Sequence, residues 1–263
     1  MNEAAAASAH TRLAIDEQGV ATLTVCEAGS LNILGSAVID DLRRTLERIA
    51  ADPALAVLVL RGSGERAFCG GADIREMSTL TPAGARAFID RLRALCDAVR
   101  AVPVPVVARL AGWCLGGGLE VALAADLRIA AADSRFGMPE VVVGIPSVIH
   151  AALLPRLIGE SAASWLLLTG ETIDAERALA WGLVHEVHAP HAVDAAVADR
   201  ARRLAGLPRA SLRAQKRLLR QWESMPLEAA IAASVDTFAE AFSTGEPQAA
   251  MAAFVRGKTA RPS

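Results

Sequence analysis

The sequence predicts an α/β core followed by a helical tail, on three observations. Apolar runs rich in β-branched residues alternate with helical patterns over the first half of the chain, which is the traffic of βαβ units. After about residue 146 the strand signals thin out, and Ala/Leu/Arg-rich helical patterns take over. The chain has 263 residues, 53% hydrophobic and 21% charged, a globular composition long enough for one large domain or one domain with an appendage. Intrinsic disorder is excluded.

Val20 to Val25 forms the first strand of this reading. Ser36 is placed to cap a helix in which Ile39, Leu42, Leu46 and Ile49 recur at helical spacing, and Asp52-Pro53 closes it. Leu55 to Leu60 is the next strand. Thr81-Pro82 starts a second helix with Phe88, Leu92, Leu95 and Val99 on its buried face, and Pro103 and Pro105 then deliver the extended run Val106 to Leu110. A short helical segment precedes the apolar run Leu127 to Ala131. Helical patterns over Val193 to Leu204, Ser211 to Trp222 and Leu227 to Phe242 make up the tail, punctuated by Pro208 and Pro226.

The 27 basic and 29 acidic side chains leave a net charge of −2, so no electrostatic footprint for nucleic acid is expected. No run of Lys and Arg suggests a membrane surface. Val141 to Pro155, the longest stretch without a charged residue, is too short and too interrupted by Gly144 and Pro146 to span a bilayer. Cys26, Cys69, Cys96 and Cys114 are scattered without a CxxC pair, and no secretory signal is visible. Reduced thiols in a cytoplasmic protein are therefore the expectation.

Gly62-Ser63-Gly64-Glu65-Arg66-Ala67 follows a strand and matches GxGxxA, but the Phe68-Cys69-Gly70-Gly71 behind it is a poor helix start for a dinucleotide turn. The strand exit Ala67 to Asp73 is more informative, because its small residues let a ligand approach the backbone. A second cluster, Gly116-Gly117-Gly118, follows Trp113-Cys114-Leu115 and opens a helical run, where free N–H groups are exposed. Two such clusters could each aim one N–H at a single oxygen, the geometry of an oxyanion hole; turns that merely need glycine are the plain alternative. Glu120 and Glu140 stand in apolar or small surroundings, where an isolated carboxylate is costly to bury. Partial exposure or an arginine partner is the alternative for each.

Taken together, Ala67-Phe68-Cys69-Gly70-Gly71-Ala72-Asp73-Ile74, Val104-Pro105-Val106-Val107-Ala108, Leu115-Gly116-Gly117-Gly118-Leu119-Glu120, Ala125 to Ala130 and Arg135-Phe136-Gly137-Met138-Pro139-Glu140 resemble the enoyl-CoA hydratase/isomerase (crotonase) superfamily. Leu153 to Gly159, Leu168-Thr169-Gly170 and Ala178 to Val184 extend the resemblance, which runs from about Leu13 to the C-terminal helices. It implies a crotonase-like spiral of ββα repeats over residues 1–200, with 1–11 expected to be disordered. Residues 201–263 would form a C-terminal helical region that serves oligomerisation and closes the active site. The partner implied is an acyl-CoA substrate, the assembly a homotrimer or a dimer of trimers. No metal and no separate cofactor are expected, since coenzyme A arrives as part of the substrate.

Within the resemblance, the N–H groups of Ala72 and Gly117 hold the thioester oxygen, and Glu120 and Glu140 match the two glutamate slots of the hydratases. Substrate contacts are implied at Phe68, Gly70, Asp73, Ile74, Trp113, Leu115, Gly116, Pro139 and Gly144. The activity implied is reversible syn addition of water to a 2-enoyl-CoA, with Glu120 taking the water's proton and Glu140 giving the α-proton. The helix start is expected to favour the charged form of Glu120. The alternatives are a Δ3,Δ2-enoyl-CoA isomerase using Glu140 alone, and a noncatalytic acyl-CoA or partner-binding protein of the same fold.

The chain departs from the resemblance after Gly144, where Ile145-Pro146-Ser147-Val148-Ile149-His150-Ala151 stands in place of a glycine-rich turn. Ser147 to His150 and Trp113 are therefore expected to restrict the acyl end of the substrate. His185, His188 and His191 are expected as solvated loop residues, and Lys216 on a solvated helix face or against a CoA phosphate. Ser147 has no GxSxG elbow around it, which argues against a serine hydrolase.

Overall fold

The computed structural model describes residues 9–259. Of the segment 1–11 expected to be disordered, residues 1–8 lie outside the described residues, while Thr11 opens a strand and its buried hydroxyl meets that of Thr45 at 3.0 Å.

The core repeats a strand–strand–helix unit. The first comprises β1 (Thr11–Ile15), β2 (Val20–Val25) and α1 (Ser36–Ala50). The second comprises β3 (Val57–Gly62), β4 (Ala67–Cys69), the single turn α2 (Ile74–Met77) and α3 (Pro82–Ala101). The third is β5 (Val106–Leu110), β6 (Trp113–Leu115) and α4 (Gly117–Ala124). The fourth has β7 (Leu127–Ala131), β8 (Arg135–Gly137), two 3-10 turns at Pro139–Val143 and Ile149–Leu153, and α5 (Leu154–Thr169). Then come β9 (Thr172–Asp174), α6 (Ala175–Ala180), β10 (Glu186–His188), α7 (Val193–Ala205), α8 (Arg209–Trp222), α9 (Leu227–Ala241) and α10 (Glu246–Thr259).

From the second repeat on, the first strand of each unit joins one sheet and the second joins another. The larger sheet has the order β1-β2-β3-β5-β7-β10, parallel except at β1–β2; the smaller is β4-β6-β8-β9, parallel except at β8–β9. Strands covered on both faces are mostly apolar, as in β5, where every residue is buried. Its Arg109 is tolerated there because Nε donates to Asp194 at 2.8 Å.

The first helix buries Ile39, Leu42, Leu46 and Ile49 as the spacing predicts, and the second buries Phe88, Leu92, Leu95 and Val99 behind a Thr81 cap. Each such side chain contributes about 1.5–3 kcal/mol by leaving water. Ser36 is not the cap of α1: Gly35 occupies that position, and the Glu76 carboxylate reaches over from α2 to accept the Ser36 N–H at 2.9 Å. The GxGxxA run bridges β3 and β4, so no helix follows it to cradle a pyrophosphate. Ile149–Thr169 has the length and hydropathy of a membrane span, but Gly159 breaks it at φ 78°, ψ 159°, and Leu154, Ala163 and Leu166 are buried against the core.

Two expectations about basic residues are corrected. His188 lies in β10, half-buried beside Glu186 at 2.9 Å, and the exposed His185 accepts the Arg128 N–H through Nδ1. Lys216 on α8 is buried, not solvated: Nζ lies 2.7 Å from Asp126 and donates to the Val104 carbonyl at 2.9 Å. Asp126 also accepts from Arg220 at 2.6 Å and from the Val106 N–H at 2.8 Å, which ties α8 to the start of β5. Burial lowers the pKa of Lys216, and the Asp126 charge opposes that. Without Lys216, Asp126 keeps Arg220 and the Val106 amide but loses one charged donor, and the Val104 carbonyl loses its side-chain donor, so Lys216→Met should cost about 1–3 kcal/mol in urea unfolding. An unchanged midpoint would show that α8 docks without this pair.

Candidate active site

β4 and β6 run parallel as neighbours, so their C-terminal ends leave the smaller sheet side by side. After β4 the chain turns through Gly70 and Gly71, and Leu34 fixes that turn by donating to the Gly71 carbonyl at 2.9 Å and accepting the Asp73 N–H at 3.1 Å. The Ala72 N–H between them enters none of these backbone bonds. After β6, Gly116 turns the chain at φ 50°, ψ −126° into α4, whose first N–H belongs to Gly117 and has no partner in the preceding turn. The two stretches nearly touch, since a Cβ on Gly117 would lie 3.7 Å from the Ala72 nitrogen. Two unspent N–H groups thus stand beside each other at the start of a helix.

A cavity of about 300 Å³ opens at this point. Its wall includes Gly70, Ala72, Ile74, Leu115, Gly116 and Gly117, and Glu120 and Pro139-Glu140 complete the polar end. Glu120 sits one turn into the wholly buried α4 and is itself only 3% exposed. Its Oε1 accepts the Ala151 N–H at 3.0 Å. Glu140 belongs to the 3-10 turn after β8, and its Oε2 accepts the Ser147 hydroxyl at 2.8 Å. A Cβ on Gly116 would come within 2.4 Å of Glu140 Oε1, so a side chain there would push the carboxylate out of this position, and the positive φ of Gly116 favours glycine independently.

Burial pushes the Glu120 carboxyl up to about 8; the Ala151 and His150 N–H groups pull it down, and the Glu140 charge adds to the rise. The expectation that the helix start keeps Glu120 charged is thus corrected, because desolvation outweighs the dipole. Burial raises Glu140 as well, opposed by the Ser147 hydrogen bond.

The family profile described as "Enoyl-CoA hydratase/isomerase" matches residues 16–260. The chain belongs to the enoyl-CoA hydratase/isomerase family. It is 31% identical over 245 residues, 93% of this chain and 94% of the other, to crotonyl-CoA hydratase of Syntrophomonas wolfei. To (E)-benzylidenesuccinyl-CoA hydratase of Thauera aromatica it is 35% identical over 80% of this chain and 82% of that one. The fold matches an enoyl-CoA hydratase crystal structure from Mycobacterium smegmatis with a TM-score of 0.91 and 29% identity, covering 97% of this chain and 98% of that chain. The architecture is accordingly the crotonase-type α/β core with a C-terminal helical region, and the protein is an enzyme of the hydratase type.

Not every substrate contact implied by the family resemblance reaches the cavity. Phe68 is fully buried in the core beneath it. Asp73 caps α2, accepting the N–H groups of Arg75 and Glu76. Trp113 lies at the start of β6 and is 40% exposed, away from the cavity wall. Gly144 ends the 3-10 turn at φ 81°, setting the path of the chain without lining the cavity. In the departing segment, Ile145, Pro146 and Val148 line the cavity, whereas the His150 ring turns away toward Asp97 at 3.4 Å. Met77 of α2 and Ile89 and Leu92 of α3 complete a wall that sequence reasoning had not assigned to the site; the buried face read for α3 was the available signal.

Two outcomes follow from this geometry. An acid whose pKa is higher in the folded than in the unfolded chain stabilises the fold fully below its unfolded value, and that contribution is lost as pH rises through the folded value. For Glu120 the window runs from 4.5 to about 8. Glu120→Gln, which keeps an acceptor for Ala151, should match wild type near pH 5 and exceed it by about 2–4 kcal/mol near pH 9 in denaturant midpoints. Parallel curves would show that Glu120 is not the titrating group. For the acyl wall, Val148→Gly should change the ratio of kcat/KM between short and bulky acyl thioesters by the equivalent of about 1–3 kcal/mol, and His150→Gly should leave the ranking intact. A reversed pattern would move the wall from Val148 to His150.

Proposed function

We propose that the protein is an enoyl-CoA hydratase that adds water reversibly, with syn geometry, across a 2-enoyl-CoA thioester. The observation that carries this reading is the convergence of Glu120, Glu140 and the free N–H groups of Ala72 and Gly117 on one cavity. The two N–H groups polarise the thioester carbonyl and stabilise the enolate charge that develops when water attacks the β-carbon. One carboxylate takes a proton from the water as its oxygen bonds to the β-carbon, while the other, protonated, gives its proton to the α-carbon on the same side; roles exchange in dehydration. Close acids share their protons, so the working pair holds one proton between them. The reaction changes no overall oxidation state, and this chain supplies the acid, the base and the hydrogen-bond donors for the carbonyl oxygen, so the proposed chemistry calls on neither metal nor redox cofactor.

Coenzyme A enters as part of the substrate in this proposal. Assembly as a homotrimer or a dimer of trimers is part of the same reading. It is supported by the apolar face that α9 leaves in solvent, where Leu227 is 74%, Val235 63% and Phe238 68% exposed. Four buried, unpaired cysteines suit a cytoplasmic enzyme.

The test is to incubate the protein with crotonyl-CoA and a panel of 2-enoyl and 3-enoyl thioesters, following the conjugated chromophore and the product masses. Water gain supports hydration; isomerisation of a 3-enoyl substrate without water gain would refute it. Glu120→Gln and Glu140→Gln should each lower kcat by roughly 10²–10⁴-fold with CoA affinity nearly intact. In wild type, kcat/KM should fall at alkaline pH with a limb near 8, where Glu120 loses its proton and both acids are charged. A profile flat through pH 9 would remove the shared proton from the mechanism.

A further inference from the structure

We infer that Ser147 is a positioning residue for Glu140: its hydroxyl holds one carboxylate oxygen while the other rests over Gly116 at the cavity wall. In its kinetic consequences this rests on the hydratase reading above. A glutamate's terminal torsion is broad and roughly two-fold, so an unrestrained carboxylate swings. Here both oxygens have fixed neighbours. Oε2 accepts from Ser147 Oγ at 2.8 Å, and Oε1 lies in space that a Cβ on Gly116 would fill, 2.4 Å away. That bond is the one hydrogen bond made by the Ser147 side chain among the described residues. Alanine or glycine at 147 would leave Oε2 without it.

The segment that carries Ser147 also serves the second acid. Ile149 stands at φ 41°, a conformation a β-branched residue rarely adopts, and the residues after it present the His150 and Ala151 N–H groups to Glu120. One strained turn therefore holds both carboxylates, one through a hydroxyl and the other through amides. The ionisable group facing Glu140 is Glu120 on α4; Val142 and Val143 of its own turn, and Ile89 and Leu92 from α3, bring no charge to the cavity. A donated hydrogen bond favours the ionised carboxylate, so its loss moves the Glu140 titration to higher pH.

The experiment compares wild type, Ser147→Ala and Ser147→Thr. With glutamate side-chain carboxyls labelled with 13C, the Glu140 resonance is identified by its absence in Glu140→Gln. Its titration midpoint should rise in Ser147→Ala and return in Ser147→Thr, which keeps the hydroxyl. In turnover of a 2-enoyl-CoA, Ser147→Ala should lower kcat roughly tenfold, leave KM within about twofold, and shift the acid limb of kcat/KM to higher pH. An unchanged Glu140 titration, or a lower kcat with an unmoved limb, would overturn the inference and leave Ser147 as part of the turn only. If wild type adds water to no 2-enoyl-CoA, the hydratase reading fails, while the carboxyl titration still decides the Ser147 contact.

Discussion

The parallel pairing of β4 with β6 is the constraint from which the rest of the site follows. Strands that pair in parallel end together, and the two chains leaving these ends must turn within a few ångströms of each other. Gly71 and Gly116 turn with positive φ, which brings Ala72 and the first residue of α4 into contact range with their N–H groups unspent. Glu120 is then placed by helix geometry alone, one turn along α4. The position of Glu140 follows from β8, the next strand on the other side of β6.

Around that frame the burial of two acids has to be offset. Each carboxylate is tolerated because something donates to it, amides for Glu120 and a hydroxyl for Glu140. The donors do not restore ordinary acidity, and the raised pKa of Glu120 records the remaining cost of desolvation. That imbalance has chemical use. A carboxyl that keeps its proton near neutrality beside one that gives it up more readily is what acid–base work on a single water demands. Elsewhere the molecule treats buried charge more conservatively: Asp126 is surrounded by two cations and an amide, and it fixes where α8 lies.

Much of the fold was legible in the sequence wherever period and punctuation agreed. The second long helix announced itself through Thr81-Pro82 and a repeating apolar face, and β5 through a largely apolar run after two prolines. The cap of α1 was not legible, because Glu76 supplies it from 40 residues away. Strands β4, β6 and β8 have three residues each, too few to show an alternating pattern, so the smaller sheet emerged only from the resemblance. The same scale separates what could be read of the site. Glycine clusters and solitary glutamates are local signals. Trp113 drew attention by its bulk, yet alternation along β6 buries Cys114 and leaves the indole partly in solvent. The meeting of Ser147 with Glu140 depends on the path of an irregular turn, which no spacing rule describes.

The contact between Gly116 and Glu140 also bears on how such a site can drift. Any side chain at 116 meets the carboxylate first, so with Glu140 in its observed place a larger residue is barred unless the carboxylate moves off, beyond what the backbone already forbids. Loss of the acid would lift the steric half of that ban, and a small residue could then settle at 116 at only the conformational cost. Once settled, it would occupy the space the carboxylate needs. Restoring the glutamate would then require two changes in concert, which makes this pair of positions an epistatic ratchet that turns more easily toward loss of the second acid than back.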